Sequence, residues 1–423
     1  MEFPFDWNDL ADQPHNVAPR RERMRHHLRR IPGYLRLAGA NVKVLLPALG
    51  LYRRYRRRQH LEPSDIGRAC GLAVSPVPGA EDEVIRLLRL TGARETLVRV
   101  ASWERDKLGG TARFLERLKA EGFGLTAALL QRREDVLRPA GWRAFLKDAF
   151  DRLGGIAERF EVGHAWNRTK WGVWDFEEYL ALAESAFDAA SARGIRLVGP
   201  AVIDFEFHLY PPLLARLPFD KVSSLLYVDR VGAPENAQAG WTTAAKVALL
   251  KAAVDVSATG GRGLWVTEVN WPLKGMGPYS PASGQPNVSE ENQADYLVRY
   301  FVLCLAGGFV ERVYWWQLAA PGYGLVNSLE NPWRLRPSYH AFQTLVRHVD
   351  GSRFLGRSAD GGGHVFHFQK EGRSFAVCWS SGRSVRRRFD REVRAVLDRG
   401  GREIGFVGRE ITLDGSPLYV HFG

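Results

Sequence analysis

Short apolar runs alternate with longer amphipathic stretches through most of this chain of 423 residues. The apolar runs have the length of buried strands and lie at 71–75, 95–101, 124–130, 159–163, 195–203, 222–228, from 264 on, and at 310–316. Segments with helical periodicity follow them at 81–90, 111–121, 142–153, 176–193, near 213, and at 242–257, 290–305 and 338–348. Eight strands, each followed by a helix, predict an α/β fold, a (β/α)8 TIM barrel over 66–350.

The pattern changes after residue 351 to short runs that alternate with period two. These runs lie at 364–369, 374–379, 391–398, 410–413 and 416–422. Alternation of this kind predicts a small antiparallel β-sandwich over 351–423.

Residues 1–65 form a third region, a basic and partly amphipathic N-terminal arm, of which 1–19 are predicted to be loose. Two basic clusters within 20–58 bracket an apolar run at 31–52. The run is long enough to span a bilayer, but Arg36, Asn41 and Lys43 argue against spanning. Two alternatives stay open: a segment lying on an anionic membrane surface, or an arm packed on the barrel. No motif nearby is typical of nucleic-acid binding, so no nucleic-acid partner is expected.

Charge is concentrated in that arm. The net charge is +12, and the first 60 residues carry 13 Lys and Arg against five Asp and Glu, so the remainder is close to neutral.

Cys70, Cys304 and Cys378 lie far apart, which favours a reducing compartment. The first 30 residues lack the apolar core of a secretory signal, so the expected location is cytoplasmic, with peripheral attachment to the inner membrane as an alternative. No cluster has ligand spacing, so neither a metal nor a cofactor is expected.

One stretch at 263–272 carries the candidate chemistry. It is a buried strand that delivers Glu268 to its C-terminal end, between Trp265 and Trp271. A carboxylate at that end of a barrel strand suits the nucleophile of a sugar-cleaving site. The alternative is a strand-end glutamate that caps a helix or pairs with an arginine.

Four features, in this order and spacing, resemble the clan A glycoside hydrolases, nearest the family 39 type with its C-terminal sandwich. They are the strand-seven segment ending in Glu268, Arg99 on strand two, Tyr227 after strand six, and the run Trp315, Trp316, Gln317 after strand eight. The resemblance covers 71–422. It implies that Glu268 is the nucleophile of a retaining enzyme, that Arg99 and Tyr227 support it, and that the strand-eight tryptophan floors the sugar site.

This chain departs from that family at the residue that protonates the leaving group. Its members end strand four with an Asn-Glu pair, and this chain has His164 and Ala165 there. Alanine cannot transfer a proton. The candidates for the acid are Glu206, Asp204, His164 and Asp229. Alternatively, Asp204 and Glu206 belong to a salt-bridge network with Arg99, Arg230 or Lys170.

The loop at 164–172 is rich in groups that bind anionic sugars. Tryptophans stack on sugar rings, and Arg or Lys binds carboxylates or phosphates. The predicted substrate-binding residues here and at neighbouring strand ends are Asn167, Arg168, Lys170, Trp171, Asn270 and Trp271. The first functional hypothesis is a glycoside hydrolase acting on a bacterial envelope or extracellular polysaccharide. The second is a non-hydrolytic carbohydrate-binding barrel that assists glycan assembly at the membrane.

Overall fold

A closed barrel of eight parallel strands forms the centre of the molecule. The computed structural model describes residues 5–15, 19–229, 231–280, 287–358 and 363–423. Barrel strands β1 to β8 are Cys70–Ala73, Glu95–Ala101, Gly124–Leu130, Arg159–Val162, Leu197–Ile203, Lys221–Leu225, Leu264–Val269 and Val310–Trp315. Neighbouring strands follow chain order, and β8 pairs with β1 to close the barrel. The predicted α/β barrel is confirmed.

Helices cover the outside of the barrel. In chain order α1 to α11 are Arg20–Arg29, Ile31–Arg58, Glu81–Thr91, Leu108–Ala120, Arg133–Leu137, Pro139–Leu153, Phe176–Ser191, Tyr210–Leu214, Thr243–Ser257, Glu290–Leu305 and Pro337–Val349. Except for α1, which has no buried residue, they pack apolar side chains into one continuous core with the strands. The predicted helices agree with these bounds within a few residues, and the short α5 is additional.

Aromatic side chains fill the N-terminal half of the barrel. Trp265 and Tyr314 point inward, with ring centroids 6.1 Å apart. A Cβ atom at Gly71 would lie 2.4 Å from the Tyr314 ring, so only glycine fits at that position. Because this end is filled, a ligand site is expected at the opposite end, where the strands present their carboxyl termini.

A second unit of antiparallel strands follows the barrel. Strands β9 to β15 are Arg353–Ser358, His364–Lys370, Arg373–Trp379, Val385–Arg388, Val393–Leu397, Glu410–Leu413 and Leu418–Phe422. Five of them form one sheet in the order β13-β15-β11-β10-β9, while β12 and β14 form a second. The predicted sandwich is confirmed. Strands β9 and β12 escaped prediction because Gly356 interrupts one run and consecutive arginines the other.

The N-terminal arm packs on one side of the barrel. Tyr55 Oη of α2 donates a 2.6 Å hydrogen bond to Asp255 Oδ2 in α9. Asn41 Nδ2 donates to the carbonyl of His208, at 2.8 Å. After α2, the two-residue strand Ser64–Asp65 pairs with β9 and extends the large sheet. The arm therefore contacts both units. None of the helices in the described parts of the chain is long and apolar enough to cross a bilayer.

A buried ion pair joins the barrel to the sandwich. Arg299 of α10 is 4% exposed, and its Nε donates to Glu235 Oε1 at 3.0 Å. The same carboxylate oxygen accepts a 2.7 Å hydrogen bond from Trp379 Nε1 of β11. Glu235 therefore holds a barrel helix and a sandwich strand together, and it compensates a charge that is removed from water.

We expect Glu235→Ala to lower the free energy of unfolding by about 3 kcal/mol, because it leaves the Arg299 guanidinium buried and unpaired. Urea denaturation followed by tryptophan fluorescence measures this change. Glu62→Gln is the matched control, since it removes only the exposed Arg58–Glu62 pair and should leave the midpoint nearly unchanged. Equal midpoints for wild type and Glu235→Ala would contradict this account.

Candidate functional site

Glu268 lies at the C-terminal end of β7, in the mouth of the barrel, and is 7% exposed. Arg99 Nη2 on β2 donates to its Oε2 at 2.6 Å. Tyr227 Oη, two residues after β6, donates to its Oε1 at 2.7 Å. Both carboxylate oxygens thus receive a hydrogen bond. The three residues that the sequence grouped together are in contact.

The Arg99 guanidinium is the other centre of the mouth. Its Cζ atom lies 3.5 Å from the centroid of the Trp316 ring, which floors the site beneath it. Burial alone would lower the pKa of Arg99, but the negative charges of Asp12 and Glu268 outweigh that effect and raise it. The residue is therefore a permanent cation beside Glu268.

His164, after β4, is held in its neutral form. Its Nε2 lies 2.9 Å from Arg99 Nη2, and because a guanidinium only donates, Nε2 accepts and carries no proton. Burial, followed by the charges of Arg99 and Lys170, holds the pKa of His164 well below its usual range. A neutral imidazole has no extra proton to give a leaving group, so the electrostatics disfavour His164 as the acid.

The adjacent Ala165 is fully buried and lines the same cavity. Its methyl group cannot transfer a proton at the position where the sequence resemblance predicts a glutamate.

A buried glutamate that sequence reasoning missed lies inside the barrel. Glu161 of β4 is 1% exposed. Burial raises its pKa to about 7, and the Glu268 charge raises it further. In the sequence, Glu161 was recognisable as a charged residue within an otherwise apolar strand. It lies too deep to touch a sugar.

Asp204 and Glu206, the acids predicted after β5, share one partner. Arg168 Nη2 donates to Asp204 Oδ2 at 2.6 Å, and Arg168 Nη1 donates to Glu206 Oε1. Asn167 clamps the same two loops together through the backbone amide and carbonyl of Ile203. The salt-bridge alternative is thus present, with Arg168 as the cation rather than the residues named from the sequence.

A cavity of about 90 Å³ surrounds Glu268. Of the residues predicted from the sequence, those that line it are Arg99, His164, Arg168, Lys170, Trp171, Tyr227, Glu268, Asn270 and Trp316. Asp204, Glu206 and Asn167 lie beside it without lining it.

The other predicted residues have structural contacts. Trp271 and Trp315 have no exposed surface and stack in the core, with ring centroids 6.1 Å apart, so they offer no platform to a sugar. Gln317 accepts a hydrogen bond from Ser75. Asp229 accepts the backbone amide of Val231 and closes its own loop. Arg230 lies outside the described residues.

An N-terminal hairpin, residues 5–15, lies over the mouth. Trp7–Asn8 pairs with Gln13–Pro14, and Asp12 at its tip reaches Arg99. Ala11, Asp12 and Gln13 line the Glu268 cavity. The prediction that 1–19 are loose is wrong for this part. The sequence signal was Phe5 and Trp7, aromatic residues in a stretch otherwise expected to face water.

One group of described side chains outside the mouth has the spacing of metal ligands. One ligand atom each from His26, Asp175 and Glu178 lies within 4.8 Å of the others. Arg133 binds Glu178 through both nitrogens, at 2.6 and 3.0 Å, and Arg30 binds Asp175 at 3.1 Å. These carboxylates are already compensated, and the cluster attaches α1 to the barrel.

Comparison with known proteins gives matches among solved structures. No family model and no curated protein matches the chain. A family 39 glycoside hydrolase from Bacteroides cellulosilyticus WH2 superposes with a TM-score of 0.67 at 18% identity, covering 85% of this chain and 81% of that one. A family 30 endoxylanase from Clostridium papyrosolvens C71 gives a TM-score of 0.59 at 12% identity, covering 86% and 98%. A family 51 arabinofuranosidase from Xanthomonas axonopodis pv. citri gives 0.57 at 14%, covering 86% and 98%.

The fold is that of the clan A glycoside hydrolases. These structures share the eight-stranded barrel that the sequence predicted for this chain. At such low identity the likeness concerns the fold of this glycosidase-like barrel, and any activity has to be argued from its own residues.

The neutral state of His164 has a consequence for stability. In the unfolded chain a histidine takes up a proton below about pH 6.5, whereas native His164 does not, so acid favours unfolding. The free energy of unfolding should therefore fall as the pH falls. We expect His164→Gln, which keeps an acceptor for Arg99, to make this fall smaller by about 1 kcal/mol per pH unit between about pH 6 and 5.

Urea denaturation at several pH values measures that slope. His348→Gln is the matched variant, because burial also lowers the pKa of His348, to about 4, far from the mouth. An unchanged slope in His164→Gln, with a reduced slope in His348→Gln, would show that His164 titrates normally in the native protein.

Proposed function

We propose that this glycosidase-like barrel is a retaining glycoside hydrolase with Glu268 as its nucleophile. The observation that carries the proposal is the pair of hydrogen bonds from Arg99 and Tyr227 to the two oxygens of that carboxylate. They hold a buried anion at the barrel mouth, orient it, and leave it open to a lined cavity. This combination suits attack on an anomeric carbon.

In the proposed reaction the Glu268 carboxylate attacks C1 of the sugar and the glycosidic C–O bond breaks. A second group protonates the departing oxygen, and water later hydrolyses the glycosyl ester, which frees Glu268. Asp204 and Glu206 are the donors proposed from the sequence. Their shared ion pair with Arg168 holds both beside the cavity rather than in it.

We propose an anionic sugar of a bacterial envelope or extracellular polysaccharide as the substrate. Arg168, Lys170 and Trp171 line one wall of the cavity, which combines cations with a stacking surface. Arg168, which pairs with Asp204 and Glu206, and Lys170, which donates to Gln13, are both candidates to bind a sugar carboxylate or phosphate. Uronic acids, Kdo-like acids and phosphorylated core sugars have the required charge.

The second candidate function is a non-hydrolytic carbohydrate-binding barrel that assists glycan assembly at a membrane. Ala165 and the neutral His164 favour it, because the strand-four end then holds no proton donor. In this alternative the same cavity binds a sugar and no bond is broken.

The proposed membrane contact is the outer face of α2. Ile31, Leu35, Val42 and Leu46 recur at helical spacing and are 49 to 77% exposed. The buried residues of the helix, Leu37 and Ala48, lie on the opposite face. Exposed basic residues flank the apolar stripe, among them Arg25, Arg29, Lys43, Arg53, Arg54 and Arg57. An apolar stripe with cationic flanks suits an anionic membrane surface on the cytoplasmic side.

The nucleophile is tested by Glu268→Gln. We expect kcat to fall more than about 10³-fold, because the amide cannot form the glycosyl ester. The dissociation constant of the sugar that the wild type cleaves, measured by calorimetry, should be nearly the same for Glu268→Gln and the wild type. Glu116→Gln, an exposed change on α4, is the matched control. Turnover by Glu268→Gln at the wild-type rate would disprove the assignment, and absence of turnover with intact sugar binding in the wild type would favour the binding barrel.

The membrane contact is tested by cosedimentation of the full chain with liposomes. We expect binding to vesicles with anionic lipid, weaker binding to neutral vesicles, and release as salt rises, since salt screens exposed charges. Leu35→Asp with Leu46→Asp should reduce the bound fraction at least about tenfold, because two apolar anchors become anionic. The control, Leu90→Asp with Leu137→Asp, alters two other leucines that are more than half exposed. Equal loss in both double variants would contradict the assignment of α2.

A further inference from the structure

A second carboxylate shares the guanidinium that binds Glu268. Asp12 Oδ2 lies 3.1 Å from Arg99 Nη1, and the Asp12 carbonyl oxygen lies 3.0 Å from the same nitrogen. The other terminal nitrogen, Nη2, lies 2.6 Å from Glu268 Oε2. The hairpin thus brings a carboxyl group into the mouth whose strand-four position holds only Ala165.

The shared guanidinium limits the distance between the two carboxylates. Its terminal nitrogens are roughly 2.3 Å apart, as fixed by the planar group. Adding the two hydrogen bonds, the facing oxygens of Asp12 and Glu268 are at most about 8 Å apart. Paired carboxyl groups lie about 5–5.5 Å apart in retaining glycosidases and about 6.5–9.5 Å apart in inverting ones. The upper bound of about 8 Å between the Asp12 and Glu268 oxygens is therefore compatible with a catalytic pair of carboxyl groups.

The position of Asp12 suits a leaving group. Asp12 and Arg99 line both the cavity of about 90 Å³ around Glu268 and a neighbouring cavity of about 650 Å³. The first has room for one sugar ring at most. A glycoside with that ring beside Glu268 and its remainder in the larger cavity would place the scissile bond at the boundary, next to the Asp12 carboxyl.

Contacts on both sides fix the hairpin that carries Asp12. The Trp7 ring packs on Trp103, at 4.9 Å between centroids, and on Trp171, at 6.0 Å. Gln13 Oε1 accepts a 2.6 Å hydrogen bond from Lys170. Asp12 itself has a φ of +52°, a conformation in which aspartate is enriched among residues other than glycine. The carboxyl group is held by structure, rather than carried on a loose end.

The electrostatic surroundings of the Asp12 and Glu268 carboxyl groups differ. Burial raises the pKa of Asp12; the Arg99 charge opposes this shift and the Glu268 charge adds to it. Glu268 instead accepts hydrogen bonds at both oxygens, from Arg99 and Tyr227. Two carboxyl groups whose surroundings differ in this way are the usual pair of acid and nucleophile.

We propose that Asp12 is the general acid and base of this site, and that it replaces the missing strand-four glutamate. The proposal rests on the proposed hydrolase function. In the first step the Asp12 carboxyl proton moves to the glycosidic oxygen as Glu268 forms an ester to C1. In the second, water attacks C1, Asp12 takes its proton, and Glu268 leaves as carboxylate.

The test is the dependence on leaving group in full-length Asp12→Asn. The probes are 4-nitrophenyl and 2,4-dinitrophenyl glycosides of uronic acids and hexoses, of which the sugar cleaved fastest by the wild type is used. Because kcat/KM reports the first step alone, we expect it to fall about 10²- to 10³-fold on the 4-nitrophenyl glycoside. It should fall less than about tenfold on the dinitrophenyl glycoside, whose phenolate leaves without a proton.

A pH profile gives the second readout. The acid has to be protonated, so wild-type kcat/KM should fall as the pH rises through the Asp12 pKa, and Asp12→Asn should lose this alkaline fall. In Asp12→Gly, azide should restore turnover by attacking C1, and it should give a glycosyl azide. Asp6→Asn, an exposed change of the same type on the same hairpin, should retain the wild-type rates and pH profile.

The outcomes separate the possibilities. Equal losses of kcat/KM on both glycosides, or none, would overturn the assignment of Asp12. A faster Asp12→Asn would overturn it too, and would show that the hairpin obstructs the site. If Glu206→Gln gives the expected leaving-group pattern and Asp12→Asn does not, the acid is Glu206. A wild type that binds the sugars and cleaves none of them overturns the hydrolase itself, and the Asp12 proposal with it.

Discussion

The buried guanidinium of Arg99 determines the geometry of the barrel mouth. A charge taken out of water is costly unless it is paired and hydrogen-bonded, so its partners have to be present for the fold to tolerate it. Here they are Glu268, His164 and Asp12, which come from three separate segments, with the Trp316 ring beneath. Only the flat, forked guanidinium can donate to all three while stacking on a ring.

The same cation also shapes the chemistry of its neighbours. It donates to His164 Nε2 and so keeps that imidazole neutral, and it holds the carboxylates of Glu268 and Asp12 on two arms of one group. Two carboxylates against one cation leave an excess negative charge in a buried place, and an added proton relieves it. The Asp12 proposal places that proton on the carboxyl group without the Tyr227 hydrogen bond.

Much of the fold and part of the site could be predicted from the sequence, because a parallel barrel gathers the carboxyl ends of its strands at one edge. That rule, together with the resemblance to clan A glycoside hydrolases, predicted that Arg99 and Tyr227 lie beside Glu268. It does not give the direction in which a strand-end side chain points, and Trp271 and Trp315 turned into the core instead. The rule could not predict the position of Asp12, because tertiary contacts of its hairpin with Trp103 and Trp171 place it in the mouth.

The sequence separation of the Arg99 contacts bears on how the protein is made. Asp12 and Arg99 are 87 residues apart, and Arg99 and Glu268 are 169 apart. On the ribosome the hairpin is synthesised before the barrel, yet its binding surface exists only after most of the barrel has emerged and closed. Contacts of such long range form late in folding. Phe5 and Trp7 therefore stay uncovered while the barrel is synthesised, and residues made before the barrel are among the last to reach their native places.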